Sequence, residues 1–151
     1  MIKELDKDFT SLNEYIGQLN PSKIFILVDE NTHNHCLPIL LPNLETDAPF
    51  EVIEIEAGEE NKNIGTATQL WEVFSEMEAD RKSLLINLGG GVVTDLGGFV
   101  ASTYKRGIRF INLPTTLLAM CDASIGGKTG IDHQYLKNVI GTFALPEAIL
   151  F

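Results

Sequence analysis

The chain has 151 residues, 44% of them hydrophobic, with 11 basic and 21 acidic side chains and a formal net charge of -10. That is enough apolar material for one core, and no repeat or low-complexity tract divides the chain. The acidic balance argues against nucleic acid and anionic membranes as partners; with no basic, apolar leader and no apolar run near the roughly 20 residues of a membrane span, a soluble cytoplasmic protein is expected.

Phe9, Leu12, Ile16 and Leu19 recur at helical spacing, and Pro21 ends that helix. Lys23 to Val28 is a continuous apolar run, the pattern of a strand buried on both faces, with Asp29-Glu30-Asn31 at its carboxyl end. Glu51 to Glu56 reads as a second strand, and Ile64, Ala67, Trp71, Phe74 and Met77 as one face of a helix begun near Asn61. Ser83 to Leu88 and Ile108 to Leu113 supply two more strands, and the chain stops within what reads as another, Ala148 to Phe151. Strands alternating with helices imply an α/β, Rossmann-like fold: a mostly parallel sheet with helices on both faces and ligands at the carboxyl ends of the strands. Asp29, Gly58, Gly89 and Pro114 all follow strands and can line that edge.

The most informative segment is Gly89-Gly90-Gly91-Val92-Val93-Thr94-Asp95, which joins a buried strand to a helix through three glycines. Backbone N–H groups in the first turn of a helix are unpaired and carry partial positive charge, and glycines let an anion approach them, so this turn is a candidate phosphate site. Close packing of strand against helix is the plainer alternative. The ordinary dinucleotide fingerprint fails here, because Thr94 stands where its third glycine belongs and no acidic residue follows at the ribose position. Gly126-Gly127-Lys128-Thr129 imitates the end of a P-loop, but the opening glycine would fall at Asp122 and no strand precedes it directly.

Residues 1–100 carry 18 acidic and 6 basic side chains, whereas residues 101–151 carry 3 and 5. The later cations, Lys105, Arg106, Arg109, Lys128 and Lys137, keep company with Gly126-Gly127 and Asn138, which favours an anionic ligand over a merely solvated face. Cys36 and Cys121 lack metal or redox spacing and read as reduced thiols, Cys121 in a packed segment. His33, His35 and His133 have no matching carboxylate spacing and read as surface or capping histidines, so no metal site is assigned to this chain.

Taken together, the motifs resemble one family, the 3-dehydroquinate synthases, through their N-terminal nucleotide-binding domain. The resemblance runs from about Val28 to Phe151. It rests on Asp29-Glu30-Asn31, Gly58-Glu59-Glu60-Asn61-Lys62, the glycine turn, Tyr104-Lys105-Arg106-Gly107, Pro114-Thr115-Thr116-Leu117-Leu118, Asp122-Ala123-Ser124-Ile125-Gly126-Gly127-Lys128-Thr129-Gly130 and Lys137-Asn138-Val139-Ile140-Gly141. It implies that Asp29, Asn31, Glu59 and Lys62 face the adenosine part of NAD, and that Gly90, Gly91, Val92, Val93, Thr94 and Asp95 hold the pyrophosphate. Thr115, Thr116 and Leu118 would lie further along the cofactor. Asp122, Lys128, Lys137 and Asn138 would meet the nicotinamide end or the substrate, with Lys128 and Lys137 also touching the cofactor, and Arg106 would be offered to a neighbouring subunit's substrate phosphate. Without the resemblance, Asp122 reads equally as a cap or turn residue, and Lys128 and Lys137 as solvated lysines.

The resemblance further implies conversion of 3-deoxy-D-arabino-heptulosonate 7-phosphate, a phosphorylated sugar acid, to 3-dehydroquinate and phosphate in the shikimate pathway. NAD acts there as a temporary oxidant, and a divalent metal, Zn or Co, polarises the reacting hydroxyl. In that reading residues 1–151 are the NAD-binding N-terminal domain, the metal ligands belong to a helical C-terminal domain outside this chain, the complete enzyme is a homodimer, and the isolated chain is inactive. Thr94 and Gln134-Tyr135-Leu136 depart from the family pattern. Two other readings stay open: an NAD-dependent, metal-using polyol or alcohol dehydrogenase domain, and a nucleotide-binding module without catalysis.

Overall fold

Along β2 (Ile24–Asp29), Ile24, Ile26 and Val28 alternate with Phe25 and Leu27, and every one of them is buried. A strand with no polar alternates belongs inside a sheet that is covered on both faces. The computed structural model describes residues 1–123 and 126–151, and of Asp122 and Ala123 the backbone alone. It places β2 between β3 (Phe50–Ile55) and β4 (Leu84–Gly89). Beyond β4 come β5 (Arg109–Pro114), β8 (Ala148–Leu150) and β1 (Ile2–Lys3), and every neighbouring pair of the six strands runs parallel. The sheet therefore joins residues from the two ends of the chain, with Ile2 opposite Ile149.

The helices follow from the two faces. Ile24, Ile26, Leu84, Ile86 and Ile111 pack with Leu12 and Ile16 of α1 (Thr10–Leu19) and with Leu37 and Leu40 of α3 (Leu37–Leu40), which succeeds the short α2 (Glu30–His35). Phe25, Leu27, Leu85 and Phe110 pack with Ala67, Leu70 and Phe74 of α4 (Ile64–Glu76) and with Val93, Leu96 and Val100 of α5 (Gly91–Thr103). Right-handed crossovers in opposite directions must use opposite faces, so α2 and α3 connect β2 to β3 on one side, and α4 and α5 carry the chain back to β4 and on to β5 on the other. The direction of travel reverses between β2 and β4. Their carboxyl ends, Asp29 and Gly89, flank the switch point where such sheets bind ligands.

A hairpin lies outside the sheet: β6 (Lys128–His133) pairs antiparallel with β7 (Leu136–Phe143). It packs on α5 at very short range. A Cβ on Gly98 would come within 2.6 Å of the Thr129 methyl, and one on Gly97 would meet the Asn87 amide of β4 on the other side. Asn87 is fully buried beside Asn112 and donates to it at 2.9 Å.

Within the hairpin Gly130 and Gly141 sit opposite each other and allow the backbones to touch. Two expectations need correction. The fourth helix starts at Ile64 and leaves Ile64 exposed, since the Asn63 side chain accepts from the Thr66 N–H at 3.0 Å and fixes the start there. Cys121, expected in a packed segment, is exposed.

At the hairpin tip Gln134 and Tyr135 have φ of 48° and 67°. A two-residue turn of this hand matches strand twist but suits Asn-Gly, and a side chain there costs about 1 kcal/mol. Replacing Tyr135 by Gly is expected to raise unfolding stability by up to about 1 kcal/mol in urea titrations. Gly97→Ala is expected to lower it by about 2 kcal/mol in the same assay, because the new methyl enters a filled space.

Candidate functional site

The glycine turn occupies the switch point. Gly89 ends β4, Gly90 is the residue before α5, and the helix begins at Gly91 with no side chain capping its first N–H groups. Thr115 donates its N–H to the Gly89 carbonyl at 3.0 Å, which brings the Pro114-Thr115-Thr116 segment alongside. A Cβ on Gly90 would lie 3.1 Å from the Thr116 methyl, so Thr116 stands close beside the turn and glycine avoids a tight contact there. Val93 and Thr94 turn inward: Val93 is in the core, and the buried Thr94 hydroxyl donates to the Gly90 and Gly91 carbonyls of its own helix. What these two offer an anion at the surface is backbone. Thr116, Leu117 and Leu118 are exposed beside them.

Lys62 joins this turn to the hairpin. Its ammonium is almost completely buried and lies 3.0 Å from a Glu59 oxygen, 3.2 Å from Asp95 Oδ2 and 3.8 Å from Asp132 Oδ1, and it donates to Asn138 Oδ1 at 2.7 Å. Burial alone would pull the Lys62 pKa down. The hydrogen bonds and charges of Glu59 and Asp95 more than restore it, so it lies above its usual 10.5 and the group stays charged.

Asn138 reaches Lys62 because β7 is irregular. Ile131 faces Ile140 and His133 faces Leu136, so Lys137, Asn138 and Val139 stand opposite Asp132 alone. Asn138 takes φ of 52° in this bulge, and its N–H donates to Asp132 Oδ1 at 2.8 Å. Asp132 in turn donates its own N–H to the Lys62 carbonyl at 2.8 Å. Bulges of this kind redirect side chains near sites. Asp132 was absent from the sequence-level candidates, since nothing in a Gly-Ile-Asp-His run marks it without the register.

A groove of about 540 Å³ opens beside the network, lined among others by Asp95, Lys128, Gly130 and Asn138. Lys128 is exposed and opens β6, opposite Phe143. Its place in a strand rules out the P-loop reading of Gly126-Gly127-Lys128-Thr129, in which the lysine must open a helix. The Asp122 side chain lies outside the described residues, as do Ser124 and Ile125.

Other expected residues are spread along the same edge or away from it. Asp29 caps α2, accepting from the Thr32 N–H at 2.9 Å, and Asn31 is exposed in that helix. Arg106 is on the opposite edge, beyond the carboxyl end of α5, where it borders a shallow hollow with Asp80, Arg81 and Lys105. Arg109, grouped by sequence with the anion-binding cations, instead donates to the Leu19 and Lys82 carbonyls at 2.8 and 3.1 Å, because it opens β5 far from the glycine turn. His33 pairs with Glu54 at 2.5 Å on the surface. Among the described residues, no group of three or more His, Cys, Asp or Glu is placed to hold a metal ion, and no helix is long and apolar enough to cross a membrane.

A family model described as 3-dehydroquinate synthase N-terminal matches residues 52–151, which include the glycine turn, Lys62 and the whole hairpin. The chain belongs to the 3-dehydroquinate synthase family. A curated 3-dehydroquinate synthase from Parabacteroides distasonis is 46% identical over 144 residues, covering 95% of this chain and 40% of that protein. The chain thus spans about two-fifths of the length of that relative. Among solved structures, 2-deoxy-scyllo-inosose synthase complexed with carbaglucose-6-phosphate, NAD+ and Co2+ matches with a TM-score of 0.90 at 24% identity, over 99% of this chain and 41% of that one. The 2-epi-5-epi-valiolone synthase of Streptomyces hygroscopicus subsp. jinggangensis 5008, with NAD+ and Zn2+ bound, matches with a TM-score of 0.81 at 26% identity, over 99% and 41%. Both structural matches extend over the parallel sheet and the hairpin, since each covers 99% of this chain.

Two outcomes follow for the charge network. Lys62→Met would remove the buried charge that Glu59, Asp95 and Asp132 share, and is expected to cost about 3 kcal/mol of stability in denaturant titrations. Burial pushes the Asp132 carboxyl up, but the Asn138 N–H, the Glu59 carboxyl and the charges of Lys62 and Lys137 outweigh it and hold it below 3.8. A carboxyl lowered on folding binds its proton more readily in the unfolded chain. Its stabilisation is therefore complete above 3.8 and lost as pH falls through the lowered value; carboxyl ¹³C NMR should place the Asp132 midpoint below 3.8.

Proposed function

We propose that this chain is the NAD-binding part of a 3-dehydroquinate synthase, and that the complete protein converts the phosphorylated sugar acid 3-deoxy-D-arabino-heptulosonate 7-phosphate to 3-dehydroquinate and phosphate. The observation that carries this reading is the uncapped start of α5 at the switch point, kept open at Gly90 against Thr116 and continuous with the Lys62 network. A Cβ at Gly90 would crowd the Thr116 side chain beside the first turn of α5, and the uncapped N–H groups of that turn fit a bound pyrophosphate. The backbone N–H groups of Gly91, Val92 and Val93 would hold the pyrophosphate. Thr115, Thr116 and Leu118 would lie along the cofactor, with Asp29, Asn31 and Glu59 toward its adenosine end.

When bound, NAD supplies a hydride acceptor that is restored within the same turnover. The chain's own residues bind and orient. Lys128 brings positive charge to the groove, and Lys137, in the bulge beside Asn138, would add to it, which suits a substrate that carries a carboxylate and a phosphate. Asn138, anchored to Lys62, presents its amide at the same place. Asp122 precedes the hairpin and would approach the reacting end. Lys62 offsets part of the negative charge of Glu59, Asp95 and Asp132, which lowers the repulsion an anionic cofactor would meet at this edge. A divalent metal is proposed for the complete enzyme with ligands beyond residue 151, and Arg106, on the far edge, is proposed to serve the substrate site of a second subunit in a homodimer.

Calorimetric titration tests the cofactor reading. The chain is expected to bind NAD saturably and to show no binding of ATP at the same concentrations. Gly90→Val is expected to weaken NAD binding at least tenfold with little change in melting temperature, because its side chain enters the anion cradle. Failure of the unsubstituted chain to bind NAD would sink the proposal that residues 1–151 form the cofactor site.

A further inference from the structure

We propose that Asp132 is a positioning residue for the cofactor site, holding Asn138 in its left-handed conformation so that the Asn138 amide engages Lys62. The inference rests on the cofactor reading given above. Besides its ion pair with Lys62 and its contact with the Glu59 carboxyl, Asp132 makes two hydrogen bonds to backbone groups, and these have different jobs. Its backbone N–H donates to the Lys62 carbonyl at 2.8 Å, which docks β6 on the loop after β3. Its side-chain Oδ1 accepts from the Asn138 N–H at 2.8 Å, across the bulge.

The second bond matters because the left-handed conformation is one of several open to asparagine. At φ of 52° Asn138 is in a region that asparagine tolerates, and the bond to its N–H selects that conformation over the others. Once the N–H is held, the side chain projects to Lys62, and Oδ1 accepts from the ammonium at 2.7 Å. Lys62 then couples to Asp95 of α5 at 3.2 Å. The chain of contacts Asp132, Asn138, Lys62, Asp95 fixes how far the hairpin and its Lys137 stand from the glycine turn. Asp132 does this without entering the groove, whose lining includes Asp95 and Asn138 but not Asp132.

The test compares the 151-residue chain with Asp132→Ala, Asp132→Asn, Asn138→Ala and the Asp132→Ala, Asn138→Ala double variant, reading NAD affinity by calorimetry and the Asn138 amide by NMR hydrogen exchange. Asp132→Ala should weaken NAD binding about tenfold and speed exchange of the Asn138 N–H at least tenfold. Asp132→Asn keeps an acceptor oxygen and should stay within about threefold of the parent on both readouts. Because Asp132 acts through Asn138, the double variant should bind no more weakly than Asn138→Ala alone. A general loss of packing would instead make the two effects add.

Parental NAD affinity and parental amide exchange in Asp132→Ala would overturn the proposal, as would additive losses in the double variant. If Asp132→Ala does not fold, Asp132→Asn decides: failure of this rescue, with NAD affinity falling tenfold in a folded protein, would also overturn it. If the unsubstituted chain binds no NAD, the cofactor reading fails on its own account. The exchange measurement then decides the positioning, with unchanged Asn138 exchange in Asp132→Ala counting against it and accelerated exchange supporting it.

Discussion

Two missing Cβ atoms in the middle of one helix set the geometry of this protein. Gly97 of α5 lets the Asn87 side chain of β4 come in on one side, and Gly98 lets Thr129 of the hairpin come in on the other. Glycine inside a helix costs about 1 kcal/mol relative to alanine, so two in succession mark a place where close approach matters more than helix propensity. The start of the same helix carries Gly91 and Asp95, and the hairpin carries Lys137 and Asn138. The separation of strand, helix and hairpin at Gly97 and Gly98 therefore sets the separation of the groups at the cofactor edge.

Lys62 is the electrostatic counterpart of that packing. It comes from the loop after β3, Asp95 from α5 and Asn138 from β7, so a single buried ammonium ties three parts of the chain. A buried charge is tolerated when it is paired and hydrogen-bonded, and Lys62 has Glu59, Asp95 and Asn138 for this purpose. The chain is strongly acidic overall, with a net charge of -10. The anionic cofactor proposed for the glycine turn would meet less repulsion on such a surface because Lys62 offsets part of the carboxylate charge beside it.

The central strands were legible in the sequence because burial on both faces leaves a run such as Ile24 to Val28 or Leu84 to Leu88 with no polar interruption. The glycine turn was legible for a different reason: consecutive glycines between strand and helix have few other uses. The hairpin was not legible. Lys128 to His133 lacks alternation, and nothing in the sequence sets Gly130 opposite Gly141 until the cross-strand pairing is seen. Asp132 was hidden more deeply, since its role depends on a bulge that places three residues opposite one. Arg109 misled because charge along a sequence carries no information about which edge of the sheet it reaches. The resemblance to a family placed Lys62 and Asn138 near a cofactor, but their direct contact across the intervening chain is a property of the fold alone.

The pairing of β1 with β8 bears on how the protein is made. Residues 2 and 3 have no place in the sheet until residues 148–150 lie beside β5, because β8 stands between them. During synthesis the ribosome therefore releases the amino end of the chain long before its partner exists. The β5 side of the sheet stays open meanwhile, with unpaired backbone groups that can recruit a strand from a neighbouring nascent chain. Pairing of β1 is a late, long-range step, because it waits until β8 has emerged and joined β5.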